Sequence, residues 1–322
     1  MKKEISNILV IRNDRFGEFL LIIPALRALK EKYPQAKITL AVDTYVADLA
    51  NAVEGVNNVI IWEKREHSFR EIFEFSRYIK KMCFDLVVIF NPTQESNLVC
   101  FLAKIPIRVG YDRKWGFLLT HKIKDEKHFA LKHEVEYNLD LVALIGAFTS
   151  DKSLRLKITG TNSLAALKDS YVIAVHPWTS DPIKQWPLSR FKELIKRLAG
   201  LEIVIIGGQE ELIKNESFFM GMHELIINFT GKTNLIELAG LLKEVKLLVS
   251  GDSGPVHLAA AVGTPVIALF RNDLPGKGAK RWGPWGEGHT VIEKNKLEEI
   301  SVDEVIRAIK DNLSSRAVPL GE

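Results

Sequence analysis

Cysteine is nearly missing: Cys83 and Cys100 are the only two in 322 residues. That excludes a disulfide framework and a cysteine-built metal cluster, and it points to a reducing, cytoplasmic setting. Long hydrophobic runs are missing as well, since none approaches the roughly 18 residues that a membrane span needs. The opening "MKKEISNILVIRND" has no small-residue cleavage site and runs straight into Arg12, Asp14 and Arg15, so it reads as a first strand, not a secretion signal. Charge of one sign is scarce: 44 Lys plus Arg against 40 Asp plus Glu leaves +4. Such a balance suits anionic partners but is too small to argue for nucleic acid.

Absent motifs narrow the chemistry. "GKGAKR" lacks the third glycine of a dinucleotide fingerprint, and "GKT" at 231–233 has Ile226 where a phosphate loop needs glycine. There is no Asp-x-Asp, His-x-x-x-His or His-Glu-x-x-His, so no dedicated metal site and no metal cofactor is expected. No Gly-x-Ser-x-Gly elbow occurs.

What remains is ordinary material for a folded soluble protein, 47% hydrophobic and 26% charged, long enough for two domains. Apolar strands alternate with helical patterns: "NILVIR", "KITLAV", "FDLVVIF" and "IRVGY" in the first half, "YVIAVHP", "EIVIIGG", "KLLVS" and "PVIALF" in the second. Continuous apolar strands between helices predict parallel sheets covered on both faces. The weakly patterned "TSDKSLRLKITGTNSLAALKDS" separates the two series. The division is expected at 1–165 and 166–322, with a cleft between the halves and the last helix packing back on the first. "NDLPGKGAKRWGPWGEG" is expected to be a loop. In such sheets ligands bind at the carboxyl ends of strands, which directs attention to the strand-to-helix turns.

Three turns carry chemistry. In "LLVSGDSGPVHLAAAVG" a strand runs through a tight turn into a helix with Pro255 in its first turn. Proline suits that place, and the free N–H groups of the helix start attract an anion, which Gly254 lets come close. Taken singly, Asp252 would be a turn former and His257 a core or capping histidine. In "AVHPWTSDPIKQWPLSRF" the ammonium of Lys184 follows a strand end and is held by Pro182, Trp186 and Pro187. It could neutralise a departing diphosphate without a metal. A solvated lysine is the plain reading of that residue alone. In "NDRFGEFLLIIPAL" Glu18 stands beside Gly17 where a strand hands over to a helix, either as a helix-terminal charge or as a base. Asp14, four residues earlier, is a second carboxylate, but Gly17 favours a loop over a helix there.

Together "ILVIRNDRFGEFLLIIPALRAL", "HPWTSDPIKQWPLSRFKEL" and "GDSGPVHLAAAVGTPVIALF" resemble the heptosyltransferases, glycosyltransferase family nine, in order, spacing and flanking strands. "HEVEYNLDLVALIGA" and "FTGKTNLIELAGLLKEVKLLVSGDSG" extend the likeness over nearly the whole chain. The resemblance implies a GT-B fold, an α/β arrangement of two Rossmann-like domains with the active site between them. It implies inverting, metal-independent transfer of a heptose from ADP-heptose to the inner core of lipopolysaccharide, an anionic glycolipid, with peripheral contact at the cytoplasmic face of the inner membrane. It assigns the general base to Glu18, where the family more often has aspartate, and the donor-phosphate contact to Lys184. Thr179, Ser180, Asp252, Ser253, Gly254 and His257 fall in the donor phosphate and sugar loops. Glu210, with Glu211 close behind, falls at the ribose contact.

The acceptor side is read from charge. Arg108, Arg113, Lys114, Lys122, Lys124, Lys127 and Lys132 make the end of the first half basic. A solvated face explains such a run most simply; docking of a phosphorylated glycolipid is the functional reading, with Asp14, Arg15, Arg113 and Lys122 as acceptor contacts and Trp115 and Phe117 near lipid. Fold does not dictate function, so a nucleotide-sugar epimerase, a transferase of another sugar, or a weakly active nucleotide-sugar-binding protein are the other readings.

Overall fold

The computed structural model describes residues 4–158, 172–198, 200–222 and 224–314. The chain divides into two compact units, Met1–Lys157 and Ile158–Glu322. The boundary expected at 165/166 lies outside the described residues.

In the first unit the strands are β1 (Asn7–Ile11), β2 (Lys37–Val42), β3 (Val56–Ile61), β4 (Leu86–Ile89), β5 (Ile107–Tyr111) and β6 (His121–Ile123). They form one six-stranded parallel sheet in the order β3-β2-β1-β4-β5-β6. The helices are α1 (Phe16–Leu20), α2 (Ile23–Lys32), α3 (Ala47–Asn51), α4 (Phe69–Lys81), α5 (Gln94–Leu102) and α6 (Glu134–Ala143). Starts are chemically marked: Ser68 and Glu71 form a reciprocal capping box on α4, and Thr93 caps α5. β1 and β4 are apolar on both faces because both faces are covered, and Leu9, Ile11, Val87 and Ile89 are among the fully buried members of one core.

The second unit repeats the plan with β7 (Val172–His176), β8 (Glu202–Ile205), β9 (Ile227–Asn228), β10 (Leu247–Gly251), β11 (Val266–Arg271) and β12 (Thr290–Lys294). Its parallel order is β12-β11-β10-β7-β8-β9, which is the first sheet's order counted from the other edge. The helices are α7 (Leu188–Arg197), α8 (Gln209–Lys214), α9 (Leu235–Glu244), α10 (Gly254–Ala261), α11 (Ala279–Trp282) and α12 (Val302–Ser314). Helix α12 lies against α7 and β11 of its own unit. Each unit therefore has a point where the strand order reverses, between β1 and β4 and between β7 and β10. Crevices outside the carboxyl ends of such strand pairs are where open α/β sheets hold ligands.

Two expectations need correction. The segment around Gly17 is helical: α1 takes in both Gly17 and Glu18, with the chain entering it extended at Arg15. Burial of Phe19 and Leu20 outweighs the glycine's reluctance to be helical. The Gly/Pro/Trp loop contains the short helix α11 and is followed by β12, whose alternating "TVIEK" carries no continuous apolar run.

Among the described residues no helix is long and apolar enough to cross a membrane.

Candidate active site

The second unit's strand-order reversal gathers the loop after β7 and the turn after β10. Trp186 anchors the first: its side chain is fully buried, its Nε1 donates to Ile300 O at 3.1 Å, and it packs edge-on against Phe191. Gln185 staples the loop from within, donating to Pro177 O and Trp186 O at 2.6 and 2.7 Å and accepting from Thr179 N at 3.2 Å. From the β11 end, Arg271 Nη1 donates to Ile183 O at 2.9 Å. Lys184 ends a single helical turn, Pro182–Lys184, inside this framework. Its ammonium ion-pairs with Asp252 Oδ2, the two side chains being 16% and 12% exposed. Lys184 is thus held in place, as its proline and tryptophan neighbours suggest.

On the other side of the pair, Gly251 ends β10 so close to the first loop that a Cβ there would stand 3.2 Å from Thr179 Cγ2. Thr179 itself bonds back to Asp181 O, while Ser180 is exposed. Ser253 is the N-cap of α10, yet its hydroxyl makes no capping bond. Gly254 and Pro255 follow as the first helical residues, and His257 is buried one turn further on. A helix start without a side-chain cap, next to a fixed ammonium, can bind an anion through N–H groups, dipole and charge together.

Glu210 and Glu211 part ways on α8. Glu211 turns back to the Gly208 N–H and caps its own helix, whereas Glu210 projects into solvent with Lys214 Nζ at 2.8 Å, which holds its carboxyl below the usual range.

In the first unit, Glu18 lies in the first turn of α1, half-buried. Burial raises its pKa and the carboxylate of Asp14 raises it further, against the opposing pull of Arg12 and Arg15. A carboxylate made more basic in this way is suited to accept a proton. Asp14 is held by Arg12 at 2.7 Å; Arg12 is 3.9 Å from Glu134, which is 2.6 Å from Lys127. Tyr45 Oη clamps the turn, accepting from Phe16 N at 3.1 Å and donating to Asp14 O at 3.2 Å. Burial pushes Tyr45 up to about 12, so it stays protonated there. Arg15 is exposed beside this turn.

The basic run is largely matched by the chain's own acids. Arg113 pairs with Asp125, Lys122 with Asp112, Lys124 with Glu126 and Lys132 with Asp140, at 2.6–3.1 Å. Lys127 is buried against Glu134, and Arg108 donates to the carbonyls of Ile105 and Leu118. Trp115 and Phe117 are 41% and 72% exposed, with ring centroids 6.4 Å apart.

Sequence reasoning singled out neither Arg12, Gln185 nor His176 as site residues. The first two support their neighbours through buried or backbone contacts, and no motif marks a residue that acts in that way.

Comparison with known proteins bears on the family and the fold. The family model described as glycosyltransferase family 9 (heptosyltransferase) matches residues 72–307. The lipopolysaccharide heptosyltransferase 3 of Escherichia coli K12 is 28% identical over 84% of this chain and 83% of its own. Among solved structures, a family 9 glycosyl transferase from Veillonella parvula superimposes with a TM-score of 0.86 at 22% identity, over 97% of this chain and 99% of its own. The E. coli heptosyltransferase WaaC with ADP gives 0.76 at 22% identity, over 95% of this chain and 100% of its own. The twin parallel sheets are the two Rossmann-like units of a GT-B fold. With almost three quarters of its length matched by one family, the chain belongs to glycosyltransferase family 9, the heptosyltransferases.

Proposed function

We propose that this glycosyltransferase moves a heptose from ADP-heptose to the inner core of lipopolysaccharide, with inversion at the anomeric carbon. The observation that carries the donor half is the Lys184–Asp252 pair beside the uncapped start of α10, at the β7/β10 reversal. Relatives named lipopolysaccharide heptosyltransferases 2 and 3, and WaaC structures holding ADP and ADP-2-deoxy-2-fluoro heptose, support the choice of donor and acceptor.

In this reading Glu18 takes the proton of an acceptor hydroxyl, whose oxygen attacks the anomeric carbon from the face opposite the diphosphate. The bond to the diphosphate breaks, and its growing negative charge meets the Lys184 ammonium and the amides of Ser253 and Gly254. Asp252 aims Lys184; Thr179 and Ser180 line the phosphate loop; His257 serves the sugar side and Glu210 the ribose. Neither Lys184 nor the helix start requires a metal for this charge work.

Asp14, Arg15, Arg113 and Lys122 are proposed to meet the anionic acceptor. Exposed ion pairs such as Arg113–Asp125 are worth only about 0–1 kcal/mol, so a phosphorylated glycolipid can displace the protein's own carboxylates. Exposed Trp115 and Phe117 suit the membrane surface, and the cytoplasmic face of the inner membrane is the proposed place of work.

The test is nucleotide release with a panel of activated sugars, with and without deacylated core acceptors. ADP release from ADP-heptose that requires a core acceptor and yields a heptosylated product supports the proposal. Turnover with a different sugar nucleotide overturns the donor; conversion of a sugar nucleotide without any acceptor turns the reading to an epimerase; binding without turnover turns it to a binding protein.

A further inference from the structure

His176 is the last residue of β7 and lies in register with Ser250 of β10 across the strand-order reversal. Its Nδ1 is 3.2 Å from Ser250 Oγ and 3.1 Å from Ser253 Oγ, and the two hydroxyls are 2.8 Å apart. Ser250 Oγ also donates to Gly251 O at 3.0 Å. The imidazole and the two hydroxyls therefore close a small hydrogen-bonded ring under the start of α10. His176 is 4% exposed.

The consequence concerns the cap of α10. A serine at an N-cap ordinarily turns its hydroxyl over the helix end and accepts from the second or third residue of the helix. Here the second residue is Pro255, which has no N–H, so Val256 is the one partner such a cap could take. Ser253 does not take it: Val256 N bonds instead to the Ser253 carbonyl at 3.2 Å, and the hydroxyl points to His176 and Ser250. A capping hydroxyl would lie over the helix end, where an anion bound by the first-turn amides must lie.

We infer that His176 is a positioning residue for the donor: it draws the Ser253 hydroxyl away from the first turn of α10, leaving that turn to the donor diphosphate. The inference rests on the donor-site reading above and adds to it a residue that never touches the ligand. Burial holds the His176 imidazole down to about 4, so near neutral pH it is an uncharged hydrogen-bonding group and not a competing cation.

The experiment measures ADP affinity by titration calorimetry on the full chain and on His176→Phe, His176→Asn, Ser253→Ala, the Ser253→Ala/His176→Phe double variant and Lys184→Ala. His176→Phe is expected to weaken ADP binding about five- to tenfold, as the freed hydroxyl caps the helix. His176→Asn, which keeps a side-chain hydrogen-bonding group for Ser253, should stay within about twofold of the parent. Whatever affinity Ser253→Ala has, adding His176→Phe to it should change that affinity by less than about twofold, because no hydroxyl remains to release. An equal loss on adding His176→Phe in both backgrounds assigns the effect to packing and overturns the inference. So does equal loss in His176→Asn and His176→Phe, or no loss in His176→Phe. If the phenylalanine chain does not fold, His176→Ala takes its place in the same cycle. Lys184→Ala separates the two levels. Weakened ADP binding there with no effect at His176 sinks the inference and leaves the donor site standing, whereas unchanged binding in Lys184→Ala sinks the donor site and the inference together.

Discussion

Lys184 and Asp252, 68 residues apart in sequence, are joined by an ion pair between the loop after β7 and the turn after β10. The pair places one cation at the start of α10 and orients it with a carboxylate that has little solvent around it. Removing a group that stabilises charge developing in a transition state costs about 10²–10³ in kcat. Lys184→Ala should lower kcat by about that factor and raise the Kd for ADP by about tenfold. Steady-state kinetics with ADP-heptose, together with ADP titration, check this; unchanged values in both would remove Lys184 from the site.

Glu18→Gln keeps the shape of α1 and removes the proposed base. Transfer should fall by at least about 10², with ADP affinity within about threefold of the parent. Near-parental turnover would refute the assignment. Glu18→Asp keeps a carboxylate but withdraws it by about 1 Å, and a shift of that size can cost about 10²-fold.

The pH profile follows from the Glu18 environment. The proposed base must be deprotonated to act, and burial with Asp14 nearby holds Glu18 above the ordinary glutamate value of 4.5. Activity should therefore rise with pH along a limb whose midpoint lies above 4.5. Asp14→Asn removes a neighbouring negative charge and should move that midpoint down. A midpoint unmoved in Asp14→Asn would show that another group sets the limb.

His176 makes stability depend on pH in a definite direction. Its imidazole titrates near 4 in the folded chain against 6.5 when solvated, so between those values the unfolded chain binds more protons. Stability is thus fully present above about 6.5 and is lost progressively as pH falls towards 4, by an amount on the order of 3 kcal/mol. Denaturant unfolding between pH 7 and 4 should show this slope, and His176→Asn should flatten it. Equal slopes in the two chains would contradict it.

Gly207 follows β8 where a Cβ would stand 2.6 Å from Trp178 Cζ3 and 3.1 Å from Thr230 Cγ2. Trp178 is 2% exposed and packed against both Phe218 and Phe219, so it has little room to swing. Gly207→Ala should cost about 1–3 kcal/mol by overpacking, read as a lower Tm. A Tm equal to the parent's would mean that the tryptophan can give way.

The central strands were legible in the sequence because parallel strands covered on both faces must be apolar throughout, as "NILVI", "LVVI" and "VIAVH" are. Three edge strands were not. β3 carries exposed Asn57 and Asn58, β6 spans three residues, and β12 alternates, because a strand with one open side has no need of a continuous apolar run. The loops of the proposed donor site were legible for a related reason: a glycine, a proline and a charged residue packed into a strand-to-helix turn leave a pattern that neighbouring residues alone create.

The sequence by itself determined the alternation of strands and helices, the glycine- and proline-marked turns, and the charged groups those turns carry, since each depends on residues a few places apart. Only the tertiary structure decided that Asp252 meets Lys184, that Asp14 raises the pKa of Glu18 while Arg12 holds it, and that His176 occupies the hydroxyl of Ser253. For the pairs distant in sequence the reason is that strand pairing and burial bring the partners together. For Asp14 and Glu18 it is that a carboxylate's proton affinity is set by the solvent and charges around it, which the order of residues does not contain.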